Sequence, residues 1–270
     1  MSSGVKHGKS IRSSSGVAKA QDDFGNEHLV ARTLPATTQD ASIHDLFASS
    51  RQAFPERWRQ ECWYLTTAAA LIASGQQSHI GALYQHVLQA EHLKTPESRK
   101  HLVRRLREAM IKCTILNGIP KVMLAFHSLA AVEQEQDQDH SFTRAGWTPD
   151  KDNHARAVRH LNAIYRGAQD TNHAACGAHA DVEWISTDIS YGLFLSDHSV
   201  LDITESQLVI LPAIMCQDLK GPTDWHLRGC LRLGLRREEV DAVQKVIERI
   251  VTHGGGKLSQ IGSVWDIQDE

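Results

Sequence analysis

The run Thr223-Asp224-Trp225-His226-Leu227-Arg228-Gly229-Cys230-Leu231-Arg232-Leu233-Gly234 places its apolar residues at helical spacing. His226, Cys230 and Leu233 fall at i, i+4 and i+7, one face of a helix with about 3.6 residues per turn. Gly234 ends the run, since glycine takes the left-handed conformation that closes helices without a steric penalty. Lys220-Gly221-Pro222 breaks the chain before it, and Arg237-Glu238-Glu239-Val240 after it opens an amphipathic helix through Val243 and Ile247. The His226 imidazole therefore points toward the apolar side, an unusual place for a group whose free pKa is about 6.5.

Upstream, Thr204-Glu205-Ser206-Gln207 has the spelling of a capping box, in which side chains three residues apart satisfy backbone donors reciprocally. It predicts a helix through Leu208, Leu211 and Met215. Pro212 lies inside that helix, has no N–H for the carbonyl of Leu208, and predicts a kink. Further back, Trp58, Cys62, Leu65, Ala69 and Ile72 predict a helix closed by Gly75. A second helix carries Ile80, Leu83, Val87 and Leu88. A third opens at Thr95-Pro96-Glu97 and buries Leu102, Leu106, Met110 and Cys113. Its other sides hold Lys100, Arg104, Arg105, Arg107 and Lys112, which read as a solvated basic face. Asn117-Gly118-Ile119-Pro120 stops that helix and starts a fourth through Leu124, Phe126 and Leu129. Thr148-Pro149-Asp150 caps another, bearing Val158, Leu161 and Tyr165, and residues 172–197 stay ambiguous.

The expected organisation is a disordered arm over 1–50, with a short helix near Ile43 to Ala48, a first helical half over 51–132, a polar linker over 133–147, a second helical half over 148–253 and a weakly determined tail over 254–270. The halves share a plan. A helix from Glu61 to Ala73, or from Gln207 to Gln217, is followed by a turn with Gly75 or Gly221 and two more helices, which suggests an internal duplication.

The 270 residues are 41% hydrophobic and 23% charged with a net charge of -3, so the whole-molecule field offers little attraction to nucleic acid or an anionic membrane. A small molecule is the expected partner. Cys62, Cys113, Cys176, Cys216 and Cys230 are odd in number and form no Cys-x-x-Cys pair, which reads as free thiols in a reducing, cytoplasmic setting. No run reaches the roughly 20 apolar residues of a membrane span. The Ser-rich start, with Lys6, Lys9, Arg12 and Lys19 and no acid before Asp22, is also compatible with a mitochondrial transit peptide. No glycine-rich phosphate cradle, Gly-x-Ser-x-Gly elbow or His-Glu-x-x-His helix occurs, which turns attention away from nucleotide hydrolysis, ester cleavage and zinc proteolysis.

Leu208-Val209-Ile210-Leu211, Trp225-His226-Leu227-Arg228-Gly229-Cys230-Leu231 and Gly234-Leu235-Arg236-Arg237-Glu238-Glu239-Val240 together resemble the core signature of the carboxymuconolactone decarboxylase and alkylhydroperoxidase D-like superfamily, its fungal branch in particular. In the first half, Leu106-Arg107-Glu108-Ala109 followed by Asn117-Gly118-Ile119-Pro120-Lys121-Val122 is similar to the family's next helix and its Gly-Ile-Pro turn. The resemblance covers most of residues 58–250. It implies an all-α, alkylhydroperoxidase D-like helical bundle that assembles into homo-oligomers, with sites near the signature histidine. Known members include a lactone decarboxylase and thiol-dependent peroxidases, so fold transfers better than reaction.

The family's redox members pair the histidine with an upstream Cys-x-x-Cys and a glutamate on the preceding helix. Here the positions four and seven before His226 are Pro222 and Leu219, and nineteen before it stands Gln207, an amide that cannot act as a general base. Dithiol peroxidase chemistry is therefore not expected. Glu205 and Asp224 lie near in sequence but read more simply as helix N-terminal charges. The first half keeps an acid at the matching place, Glu61, so a composite pocket of Glu61 and His226 is one expectation.

The leading expectation is a cofactor-independent enzyme that moves protons on a small organic acid or lactone, in a decarboxylation, isomerisation or ring opening. His226 would carry the proton, Gln207 would orient the substrate, and Arg228 or Arg232 would hold a carboxylate. Trp225, Cys216 and Cys230 would line the substrate's place, and the cysteines would serve a thiol-dependent antioxidant activity if exposed and acidic, or else fill the core. A family member that binds a ligand or protein and catalyses nothing is the competing expectation. His173, Cys176 and His179, with Asp181 and Glu183 following, come nearest to a metal set, but on a straight helix they would fan over roughly 120°. They read instead as a helix end at Gly177, and no metal or cofactor is expected. Asp197-His198 sits in a loop, where binding residues gather.

Overall fold

In the computed structural model, which describes residues 19–21, 27–29 and 38–268, the chain is helical apart from one small hairpin. Strands β1 (Lys19–Gln21) and β2 (Glu27–Leu29) pair antiparallel with Lys19 opposite Leu29. They belong to a unit spanning residues 1–38, distinct from a second unit spanning 39–270.

In chain order the larger unit carries α1 (Thr38–Ala53), the short α2 (Glu56–Arg59), α3 (Trp63–Ala73), α4 (Ile80–Val87), α5 (Pro96–Asn117) and α6 (Ile119–Ala130). Then come α7 (Lys151–Tyr165), α8 (Ala168–Ala175), α9 (Ala180–Trp184), a π-helical segment (Ile185–Leu195), α10 (Ile203–Met215), α11 (Lys220–Arg232) and α12 (Arg237–His253).

Every residue of α3 is buried, and so is every residue of α10 from Ser206 to Met215. A helix apolar on all sides must be enclosed on all sides. The two pack against each other, α5 covers both, α12 closes over α3, and α11 lies on α10 with α7 beyond it. Leu65, Leu71, Leu106, Leu208, Leu211 and Val243 thus share one core cluster, and residues 39–270 form a single unit. A smaller apolar cluster of Ala157, Leu161, Ile164, Tyr165, Tyr191, Leu195, Ile210 and Ile214 sits between α7, the π-helical segment and α10.

The consequence of Pro212 is met in the packing. The carbonyl of Leu208, which proline cannot serve, accepts a hydrogen bond from the hydroxyl of Thr66 at 2.8 Å. One exchange thus satisfies the backbone of α10 and ties it to α3.

Several expectations are corrected. Residues 38–50, expected in a disordered arm with a short helix near Ile43 to Ala48, lie in α1, which begins at Thr38 and buries Ile43, Leu46 and Phe47 in the core. Apart from the hairpin residues, the rest of the arm lies outside the described residues, including the basic, Ser-rich start. The capping box of α10 is formed by Asp202 and Glu205, two positions before the expected pair, which leaves Gln207 free to turn inward. The basic face of α5 is only partly solvated: Arg104 keeps 40% of its side chain exposed, but Arg105 is 5% exposed and Lys112 is 0% exposed. The Lys112 ammonium donates to the carbonyls of Leu195 and Asp197 at 2.9 and 2.8 Å and lies 3.3 Å from the carboxylate of Glu108.

The polar stretch over 133–147 is bound to α5. Asp137 takes Arg99 at 2.8 Å, Asp139 pairs with Arg104 and Arg107, and Arg144 grips Glu108 through two contacts of 2.7 Å. The tail also docks, burying Val264, whose amide donates to the side chain of Gln244 at 3.1 Å.

Replacing Thr66 by valine keeps the shape and orphans a buried carbonyl. The expected cost is ~1–3 kcal/mol, read as a lowered denaturant midpoint, and an unchanged midpoint would show that α10 finds another partner for Leu208.

Candidate functional site

The site forms where the two apolar clusters meet. Tyr165 is the last residue of α7, which stops there because Arg166 and Gly167 both adopt left-handed backbone (φ 48° and 87°). Tyr191 comes from the π-helical segment, a rare geometry that often accompanies functional positions. That segment rests closely on α7 because Gly192 has no side chain; a Cβ there would stand 2.2 Å from the amide nitrogen of Asn153. Gly229 does the same for α11, since its Cβ would meet Ile164 at 2.6 Å and the Gln207 amide at 3.2 Å.

Held this way, His226 is 1% exposed but not surrounded by hydrocarbon alone. Its Nδ1 lies 3.1 Å from the amide nitrogen of Gln207, which also donates to the His226 carbonyl at 2.8 Å. Its Nε2 meets the Tyr165 hydroxyl at 3.0 Å, and that hydroxyl meets Tyr191 at 3.0 Å. With the two amide hydrogens of Gln207 donated to Nδ1 and the carbonyl, Nε2–H donates to Tyr165 and Tyr165 donates to Tyr191. The Tyr191 ring in turn lies 5.3 Å from the ring of His160, whose Nδ1 is 3.1 Å from Nε2 of His198. Four helical elements thus supply one polar line through an apolar interior.

Burial sets the protonation states. It pulls His226 down to about 3 and lowers His160 well below its usual value, so both rings are neutral near pH 7. Burial also raises the phenols of Tyr165 and Tyr191. The line is therefore made of neutral donors and acceptors.

The expected site residues are only partly gathered. Gln207 and His226 are together, and Trp225 packs edge-on against Tyr165 at 6.2 Å. Cys230 is buried one turn beyond His226, and burial pushes its thiol up to about 12; the same holds for Cys216. Neither is a thiolate at neutral pH, so neither meets the condition set for a reactive thiol. Arg228 points outward to the carbonyl of Gln268, and Arg232 donates to the carbonyl of Ile164 at 2.8 Å, so neither guanidinium faces His226.

Glu61 is half exposed on the other side of Arg105, its carboxylate 3.9 Å from that guanidinium, and lines a separate cavity with Tyr64, His92 and His101. His226 lines neither that cavity nor those beside Arg107 and His160, so Glu61 and His226 share none of these three. His173 lies 3.6 Å from Glu183, and among the described residues no group of three or more His, Cys, Asp or Glu side chains is placed to hold one metal ion.

Tyr165, Tyr191, His160 and Arg156 escaped the sequence reading as site residues. Tyr165 had registered only as part of a helix stripe, and the other three carry no motif. The Asp197-His198 loop was the one signal, and it leads to a cavity of about 350 Å³ beside His160.

No family model matches the chain, and no solved structure matches it. Peroxisomal protein 2 of Schizosaccharomyces pombe (strain 972 / ATCC 24843) is 27% identical over 143 residues, 53% of this chain and 66% of that protein. The chain thus spans just under two thirds of that relative's length.

Because His226 binds a proton in the unfolded chain at a pH about 6.5 but in the folded one only near 3, its contribution to stability is complete above the first value and is lost as pH falls toward the second. The slope is about 1.4 kcal/mol per pH unit inside that window. Denaturant unfolding at neutral and mildly acid pH should show His226→Gln losing less stability on acidification than the unaltered chain. Equal losses would mean that the ring is not kept neutral by burial.

Proposed function

We propose that this chain is a carboxymuconolactone decarboxylase-like helical protein acting without a cofactor on a small organic acid or lactone, by proton transfer that leads to decarboxylation, isomerisation or ring opening. The observation that carries this reading is the line Gln207–His226–Tyr165–Tyr191, a costly set of polar groups in an otherwise apolar interior, whose members satisfy one another and end beside His160. In this reading His226 is a positioning residue at the inner end, fixed by Gln207. It sets the donor direction of Tyr165 and Tyr191, while His160 and Tyr191 stand nearer the bound molecule.

A second reading, a family member that binds such a molecule and leaves it unchanged, is favoured by one fact. Neither ring nitrogen of His226 meets a carboxylate, and a ring so hard to protonate is a weak base.

For assembly, the exposed Ile119, Met123 and Leu124 of α6 support the homo-oligomer that the resemblance implies. Among the described residues no helix is long and apolar enough to cross a membrane. For location, the cysteine pattern supports the cytoplasm and the name of the S. pombe relative, Peroxisomal protein 2, supports the peroxisome; imaging a tagged chain with a peroxisomal marker separates them.

The test follows solvent-deuterium incorporation and product formation by NMR over a panel of small organic acids and lactones. Tyr165→Phe and His226→Asn should each lower turnover by roughly a hundredfold or more while a bound compound stays bound. Binding with no turnover by the unaltered chain establishes the second reading, and turnover unaffected by either change removes the polar line from the mechanism.

A further inference from the structure

We propose that the cavity between α7 and the loop following the π-helical segment is a binding site for a small oxyanion, a carboxylate or a phosphate, held by Arg156, Arg159, His160 and His198. The inference concerns binding alone and goes beyond the reaction proposed above; it stands whether or not any compound is turned over.

The cavity, about 350 Å³, is lined by Arg156, Arg159, His160, Ser196, His198 and Ile203, and so by no acid. The nearby carboxylates are turned to other partners, although Oδ2 of Asp197 is buried with no hydrogen bond of its own. Asp197 accepts from the amide of Ser199 at 2.9 Å and lies 3.5 Å from Arg144, and Asp202 caps α10 by accepting from the amide of Glu205 at 2.8 Å. Behind the wall, Lys112 adds a further cation, bonded to backbone carbonyls and to Glu108. Among the described residues no ion pair involves Arg156 or Arg159.

An independent observation points the same way. His160 is 1% exposed, and although its Nδ1 is engaged with His198, its Nε2 is buried without a partner; Nε of Arg156 is buried without a partner as well. Unpaired buried donors are rare because they forgo the hydrogen bonds that water would give them. A neutral imidazole whose Nδ1 accepts from His198 presents Nε2–H as a donor, and an anionic oxygen is the acceptor that such a donor and an arginine together select.

Arg156 is also held in place beforehand. One of its terminal nitrogens donates to the Asn153 side chain at 2.9 Å and to the carbonyl of Gly192 at 3.1 Å, and its guanidinium lies over Trp147, 3.9 Å from the ring centroid. Little side-chain freedom is lost when a ligand arrives. Arg159, exposed at the rim, supplies attraction at longer range.

The test titrates inorganic phosphate and succinate, in separate arms, into the full chain while the imidazole nitrogens of His160 and His198 are followed by NMR. At least one anion should move both rings saturably, and which one does so decides between a phosphate and a carboxylate as the recognised group. Arg159→Gln should weaken binding roughly tenfold, whereas Lys257→Gln, an exposed change elsewhere, should leave it unaltered. Arg159 is exposed and, among the described residues, in no ion pair, so its variant remains interpretable if Arg156→Gln unfolds. No saturable movement with either anion, or equal affinity in the unaltered chain and Arg159→Gln, would overturn the proposal.

Discussion

The structure depends on enclosing two helices that tolerate no water on any side. α3 and α10 pack together at the centre, and the hydroxyl of Thr66 bonded to the Leu208 carbonyl resolves the one backbone conflict that Pro212 creates between them. Around this pair α5 covers both helices, α12 closes over α3 and α11 lies on α10. Without the enclosure, the apolar surface of both helices would return to water at about 25 cal/mol per Å².

Around that centre the protein places its charges unusually deep. Lys112, Glu108, Arg144 and Asp197 join α5, the stretch over 133–147 and the end of the π-helical segment in one buried network. Burial pulls the Lys112 ammonium down to about 8 against the raising pull of Glu108. Such networks add little net stability compared with hydrocarbon, but they are unforgiving of misplacement. This one fixes where Tyr191, Ser196 and His198 stand, and so shapes the wall of the cationic cavity.

The polar line from Gln207 to Tyr191 and the cavity beside His160 are two parts of one neighbourhood, joined by the contact of the Tyr191 and His160 rings. The buried part is neutral and tightly satisfied. The cavity part is cationic and holds donors without partners.

Local physics made much of the fold legible. Helical spacing placed α3, α5, α6, α7, α10, α11 and α12, the Gly118 turn separated α5 from α6, and Asp150 capped α7 as its position suggested, because these features depend on residues within one or two turns of each other. The pairing of Gln207 with His226, nineteen residues apart, carries no signal in local spacing. What only the tertiary structure decided were the long-range partners. Arg105 and Lys112 looked solvated until distant carboxylates and carbonyls enclosed them, the short helix expected near Ile43 to Ala48 became the longer α1 once its Phe47 face met the core, and Glu61, in the turn before α3, stands beside Arg105, which also pairs with Glu205 of α10. The reason is physical: spacing along the chain fixes which face a side chain occupies, whereas whether that face meets water, hydrocarbon or a counter-charge depends on elements far away in sequence.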